Sequence, residues 1–220
     1  MDKKIKLIID FDSTFVKLET IEILADFALY AKSDKDKILN QIKDITNKAM
    51  IGKIPFSRAL NQRIKLINPR QEHINKTIIF LKKHISKSFE KNIEFFRKNH
   101  ENCYIISGGF KEIIMPVIED FNIKENQIFA NTFIHKNNNI TINENNPLSK
   151  DNGKNIIAKN ISGYKIIVGD GYTDYEVKKY KNAKKFVQFV ENINRISLNN
   201  KADLVCDDFK KIITFINNDI

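Results

Sequence analysis

The sequence predicts an α/β protein, a parallel sheet covered by helices, with a block of helices inserted after the first strand. Three observations predict it. The apolar runs at 5–9, 103–106 and 165–168 are short, rich in Ile and Val, and end at Asp, Ser or Gly. Between them lie stretches of helical periodicity, the alternation expected of strands joined by crossover helices. From Glu19 to Leu81 no strand-like alternation occurs at all.

Ile5-Lys6-Leu7-Ile8-Ile9 places apolar residues on both faces of a strand, as in the middle of a covered parallel sheet. After Glu19 the spacing changes to threes and fours. Ile21, Leu24, Ala25 and Ala28 share one face; Ile38, Ile42 and Ile45 share another; Phe56, Leu60, Ile64 and Ile67 share a third. Breaks at Ser33-Asp34, Gly52-Lys53 and Asn68-Pro69 separate these helices. A helix is then expected over Phe89–Asn99, a strand over Cys103–Ile106 and a helix over Lys111–Phe121. Short strands at Gln127–Phe133 and Ile140–Ile142 flank a polar turn at Lys136–Asn139. A brief helix at Lys154–Lys159 precedes the strand Lys165–Val168. A helix, a strand at Phe186–Val190, another helix and a last helix near Phe209–Phe215 complete the chain. The inserted helices are assigned to residues 18–77, with 1–17 and 78–220 forming the sheet domain. Hinges are expected near 15–18 and 76–83.

A chain of 220 residues with 42% hydrophobic content is long enough for one core and a small second lobe. The net charge of +10 raises nucleic-acid binding as a function. The excess is scattered lysine, and arginine occurs only at 58, 63, 70, 97 and 195. With no basic block and no basic-aromatic stripe, the pattern reads as a solvated surface, and no nucleic-acid partner is expected. No uncharged apolar run is long enough to span a membrane, so no membrane partner is expected. The opening Met1-Asp2-Lys3-Lys4 leads into a stretch broken by Lys6, a poor secretory signal. Cys103 and Cys206 lack metal-like spacing, which suits reduced thiols in the cytoplasm.

The chemistry collects at strand ends. Asp10-Phe11-Asp12-Ser13-Thr14 follows the first strand, Ser107-Gly108-Gly109 the second, and Gly169-Asp170-Gly171 with Asp174 the third. Taken singly, each is also an ordinary turn or helix cap. Taken together, they bring four carboxylates to the rim where ligands of such sheets bind. Clustered carboxylates call for a hard cation, and oxygen donors suit Mg²⁺. Gly108 and Gly109 free backbone N–H groups to face an anion. Lys154, about a dozen residues before the third strand, adds a positive charge. This set fits a phosphoryl group held between metal, lysine and amides. Hydrolysing a phosphate monoester needs up to ~10²¹-fold acceleration. One acid/base group supplies about 10²–10⁴ of that, so several groups must act together.

These four motifs, in this order, resemble the haloacid dehalogenase superfamily of phosphatases. Glu19-Thr20-Ile21-Glu22, the 49–56 segment from Ala49 to Phe56, Ile106-Ser107-Gly108-Gly109-Phe110 and Phe129-Ala130-Asn131 extend the likeness to the phosphoserine phosphatase family. The resemblance implies a Rossmann-like core with a helical cap. It also implies hydrolysis of O-phospho-L-serine to serine and phosphate, the last step of serine biosynthesis, through an aspartyl-phosphate. In that scheme Asp10 is the nucleophile, and Asp12 is the acid and then the base. Asp10, the carbonyl of Asp12, and Asp170 hold Mg²⁺, while Ser107, Gly108 and Lys154 bind phosphate. Glu19 and Arg63 meet the ammonium and carboxylate of serine, as paired opposite charges should. Met50, Phe56 and Gly109 line the substrate; Asp174, Thr173 and Asn131 support the site from behind, with Arg195 nearby. The implied alternative is another phosphatase or phosphotransferase of the superfamily, acting on a different small phosphorylated metabolite. A small-molecule partner is expected, on a monomer or homodimer. Tyr172, where the family has a small residue, and Lys17-Leu18 before Glu19 depart from the pattern.

Overall fold

The computed structural model describes residues 5–51, 53–136 and 139–218. The expected break at Gly52, the tip of the Lys136–Asn139 turn and the opening Met1–Lys4 lie outside them, as does the side chain of Met50. The main sheet contains β1 (Ile5–Ile9), β2 (Cys103–Phe110), β3 (Ile128–Asn131), β6 (Tyr164–Gly169), β7 (Lys185–Phe189) and β8 (Leu204–Cys206). Their order is β3-β2-β1-β6-β7-β8, and every neighbouring pair is parallel. A separate antiparallel hairpin joins β4 (Phe133–Lys136) to β5 (Asn139–Ile142).

Alternation along each strand feeds two apolar layers. Ile8, Ile106, Ile167 and Phe186 pack with Ala158 and Val177, from helices α8 (Gly153–Asn160) and α9 (Tyr172–Lys179). Leu7, Ile9, Ile105, Val168 and Phe189 face the opposite layer. That layer takes α5 (Lys87–Lys91), α6 (Ile93–Asn99), α7 (Lys111–Val117) and α10 (Phe209–Asn218). At its centre Phe15, Phe89, Phe96, Phe121 and Phe209 stack and meet edge to face, with ring centroids 4.6 to 5.7 Å apart. All are buried. Among the described residues no helix is long and apolar enough to cross a membrane.

The inserted stretch is helical throughout, as its periodicity requires: α1 (Thr20–Ala28), α2 (Lys35–Met50), α3 (Phe56–Ile67) and α4 (Gln71–Leu81). Asn68 ends α3 in the left-handed conformation, φ 47°, and its N–H still bonds to Ile64 O. The chain enters and leaves this block side by side. Val16 and Ile85 form an antiparallel bridge, with Lys17 N–H on His84 O and Ser86 N–H on Phe15 O, both 2.9 Å. The second crossing therefore lies at 84–86, and residues 76–81 are the interior of α4.

Four expectations for secondary structure are corrected. The strand expected over 127–133 is split at Thr132, because Glu112 takes the Phe133 N–H at 2.8 Å and turns the chain into the hairpin. The helix expected over 89–99 breaks at Asn92, whose side chain caps Ser88 O at 2.7 Å. The one expected over 111–121 ends at Val117, one residue after Pro116, and continues as a 3₁₀ turn. The helix expected after Val190 is a 3₁₀ turn over Ile196–Lys201, followed by the three-residue edge strand β8.

Removing one ring from the phenylalanine stack should be costly. Phe96→Ala is expected to lower unfolding free energy by about 3–5 kcal/mol, measured by urea denaturation. A loss under about 1 kcal/mol would show that the stack is not the centre of the core.

Candidate active site

The chain order reverses at β1. It runs outward to β2 and β3, then returns to lay β6 on the other side of β1. Ligands of open α/β sheets bind at such a switch point, beyond the carboxyl ends of the strands. Asp10 follows β1 here, with its N–H on Val168 O at 2.9 Å, and Asp170 follows β6. Ser107-Gly108-Gly109 lies in the last part of β2, where the register with β3 shifts between Ile106 and Phe110. After Asp10 the chain closes one wide turn, Phe11–Phe15, with Val16 N–H on Phe11 O. Within it Ser13 has φ 54°, a left-handed backbone of the kind that clusters at functional sites. Its hydroxyl donates to Glu19 Oε1 at 2.6 Å.

Lys154 stands between two carboxylates. Its Nζ is 2.9 Å from Asp10 Oδ1 and 2.6 Å from Asp174 Oδ1. Burial opposes its charge, but Asp10 and Asp174 outweigh burial and move its pKa up. Asp10 Oδ1 also accepts the Phe11 N–H at 2.8 Å, and Asp174 Oδ2 accepts the Gly171 N–H at 3.1 Å. Asp174 is admitted only because residue 169 is glycine. A Cβ there would lie 2.2 Å from Asp174 Cγ. Asp170 pairs through Oδ2 with Arg195 Nε at 2.8 Å, while its Oδ1 is buried with no hydrogen-bond partner. Oxygens of Asp10, Asp170 and Asp174 lie within 4.8 Å of one another. An orphaned carboxylate oxygen in such a group fits a bound cation.

Asp12 and Glu19 face the cavity beside this group. Asp12 Oδ1 accepts both the backbone N–H of Thr20, at 3.0 Å, and the Thr20 hydroxyl. Burial, and then the charge of Asp10, push Asp12 up to about 7 against those bonds. Burial, and then Asp12, push Glu19 up to about 7, and burial does the same to Asp170. Arg195 reaches from Asp170 towards Glu19, with Nη2 3.7 Å from Oε1. Arg63 is buried in α3 with Nε on Ala59 O and Nη1 on Thr46 Oγ1, both 3.1 Å. Its pKa is lowered by burial and raised by Glu19, Asp12 and Glu22.

Phe56 closes the cavity. A Cβ at Gly108 would stand 2.5 Å from Phe56 Cζ, so only glycine lets the ring lie on this loop. Ser57 N–H, beside it, bonds to Asp151 Oδ1 at 3.0 Å. The space left among Asp10, Asp12, Glu19, Arg63, Gly108 and Lys154 is about 30 Å³. Thr173 and Gly109 also line it.

The structure thus brings Asp10, Asp12, Glu19, Phe56, Arg63, Ser107, Gly108, Gly109, Lys154 and Thr173 to one cavity, with Asp170 and Asp174 beneath. Ser107 Oγ accepts the Gly109 N–H at 2.9 Å. Asn131 sits behind the loop, donating to Gly108 O at 2.9 Å and Leu148 O at 3.1 Å. Met50 ends α2, and its side chain lies outside the described residues. Sequence reasoning passed over Ser13, Thr20 and Asp151, whose contacts leave no periodic trace. Only the adjacency of Ser13 to Asp12 and of Thr20 to Glu19 pointed to them.

No family model matches the chain. The phosphoserine phosphatase of Methanocaldococcus jannaschii is 29% identical over 229 residues, covering 98% of this chain and 100% of that protein. A phosphoserine phosphohydrolase-like protein from Francisella tularensis superposes with a TM-score of 0.84 at 25% identity, covering 96% of this chain and 99% of the other. A phosphoserine phosphatase solved as a phospho-aspartyl intermediate analogue superposes with a TM-score of 0.76 at 26% identity, covering 98% and 99%. Over nearly its whole length the chain resembles the phosphoserine phosphatases of the haloacid dehalogenase superfamily in sequence and in fold.

Proposed function

We propose that this chain hydrolyses O-phospho-L-serine to L-serine and phosphate, with Mg²⁺ bound by Asp10, Asp170 and the carbonyl of Asp12. One observation carries the reading: Lys154 binds Asp10 and Asp174 while Asp170 Oδ1, in the same group, lacks a protein partner. The cation supplies positive charge to carboxylates and phosphoryl oxygens held close together. Every other part belongs to the chain. Ser107, Gly108 and Lys154 hold the phosphoryl oxygens. An oxygen of Asp10 attacks phosphorus; the phosphorus–oxygen bond to serine breaks, and the serine oxygen takes a proton from Asp12. Water then attacks the aspartyl-phosphate and gives its proton to Asp12, releasing phosphate and restoring Asp10. The name of the solved relative, a phospho-aspartyl intermediate analogue, supports the covalent step.

Residues 18–77 act as a cap in this reading. Glu19 faces the ammonium of serine, and Arg63 faces its carboxylate. Met50 and Phe56 exclude water, and Asp174, Thr173 and Asn131 brace the site. Phe56 lies on Gly108 over the cavity, and in this reading the cap moves aside to admit substrate. The free buried thiols of Cys103 and Cys206 suit a reducing cytoplasm.

The purified chain is expected to release phosphate from O-phosphoserine only with Mg²⁺, and far faster than from phosphoethanolamine, which lacks the carboxylate. Arg63→Ala should lower kcat/KM for phosphoserine about 10²-fold, ~2.7 kcal/mol, and spare p-nitrophenyl phosphate. Equal rates on phosphoserine and phosphoethanolamine would refute the substrate.

Asp10→Asn should reduce turnover to background while keeping the melting temperature within a few degrees. Intact-protein mass spectrometry after acid quench should detect phosphorylated wild type and none of the variant. Retained turnover in the variant would remove the covalent step.

Glu19, at about 7 when folded against its ordinary 4.5, binds in the folded state a proton that the unfolded chain has released. Stability therefore falls as pH rises through that window. In urea denaturation without divalent metal, wild type relative to Glu19→Gln should lose stability between about pH 4.5 and 7. A difference that stays flat, or grows with pH, would contradict the burial of this carboxyl group.

A further inference from the structure

We infer that Thr20 is a positioning residue for Asp12, clamping one carboxyl oxygen so that the other faces the reacting group. Asp12 Oδ1 receives the backbone N–H and the hydroxyl of this one residue. Thr20 is itself buried, at 1% exposure, so no water competes for the hydroxyl. Asp12 Oδ2 points the other way, 3.5 Å from where a Cβ on Gly109 would stand, beside the loop assigned to phosphate. The last torsion of an aspartate is soft and broad. Without an anchor the carboxyl group turns, and its two oxygens exchange places. Two donors on Oδ1 settle which oxygen does what. The carbonyl-type oxygen of a protonated carboxyl group is the stronger acceptor, so two donors on Oδ1 favour the transferable proton on Oδ2. This rests on the phosphatase reading above and adds to it the atom that carries the proton.

The location of Thr20 gives the clamp a second consequence. It is the first residue of α1, directly after Glu19, which is assigned to the substrate ammonium. The same short segment that grips the substrate thereby orients the acid. Capture and proton delivery are completed by one movement of the inserted helices. The hydroxyl matters beyond the backbone N–H, because one bond alone leaves the carboxyl plane free to rotate about it.

The test compares wild type, Thr20→Val and Thr20→Ser, each with Mg²⁺, on O-phosphoserine and p-nitrophenyl phosphate. Serine is a poor leaving group and needs the proton, whereas nitrophenolate departs without one. Thr20→Val should lower kcat for phosphoserine about tenfold, the worth of roughly one charge-assisted hydrogen bond, with KM little changed. The pre-steady-state burst of nitrophenolate should keep its wild-type rate constant, and Thr20→Ser should restore kcat on phosphoserine. Wild-type kcat in Thr20→Val, or a burst slowed by the same factor as kcat, would overturn the proposal. Should Thr20→Val fail to fold, Thr20→Ala is judged by the same two rates. If wild type turns over p-nitrophenyl phosphate but not phosphoserine, the substrate reading alone falls. The comparison is then made on another alkyl phosphate that wild type hydrolyses.

Discussion

Five carboxylates, Asp10, Asp12, Glu19, Asp170 and Asp174, converge where the sheet changes direction, and three cations, Lys154, Arg63 and Arg195, face them. With all five ionised, the group would be short by two positive charges. Isolated buried charge is so costly that it must be paired, protonated or bound to metal. The molecule uses the first two visibly: Lys154 and Arg195 are paired, and Asp12, Glu19 and Asp170 are pushed to about 7. A divalent cation is the alternative to holding protons on these groups, and the unpartnered Asp170 oxygen marks a place that fits one. Gly169 shows how far the fold yields to this cluster, since a methyl group there would displace Asp174.

The segment after β7 ties the cluster to the rest of the chain. Glu191 caps α5 through Ser88, and Asn192 donates to Ser13 O at 3.1 Å and to Ser86 Oγ at 2.7 Å. Arg195 then pairs with Asp170 and approaches Glu19. One short loop thus touches the turn after Asp10, the strand by which the chain leaves the inserted helices, a carboxylate of the cluster and the carboxylate at the start of α1. On the far side of the cavity Phe56 lies on Gly108 and Ser57 N–H on Asp151. These last contacts are few and, for Ser57, exposed, so this edge is held less firmly than the buried core.

How much of this was legible follows from the range of each signal. Strand β1 could be read because four apolar residues out of five, on both faces, have no other comfortable place. The acids at 10, 12 and 170 could be read because carboxylates at the end of such a run require a reason. Lys154 is one lysine among many, and only its order among the other motifs singled it out. Thr20 and Asn192 act through side-chain bonds to residues 8 and 106–179 positions away, for which no periodicity exists. Strand β8 has three residues at a sheet edge, fewer than a period-two pattern needs to declare itself. The strand expected through 133 was broken by Glu112, a partner from another element taking one N–H.

Asp10 and Asp12 are the same residue type two positions apart, and in the proposed mechanism their surroundings divide the work. Asp10 meets a cation and a backbone N–H on one oxygen. Asp12 meets no cation within 4 Å among the described residues; its donors are the neutral groups of Thr20. A nucleophile must be ionised, and an acid must hold a proton near neutral pH, so paired carboxylates with one chemistry need environments that drive them apart. Burial, and then the charge of Asp10, raise Asp12 to about 7 against the bonds from Thr20 and the charge of Arg63, and in the proposed cycle it gives a proton in one half and accepts one in the other. Lys154 occupies the side of the cluster that leaves Asp12 alone. Were it to reach Asp12 instead, its charge would favour the ionised form of Asp12, and the proposed acid would have no proton to give.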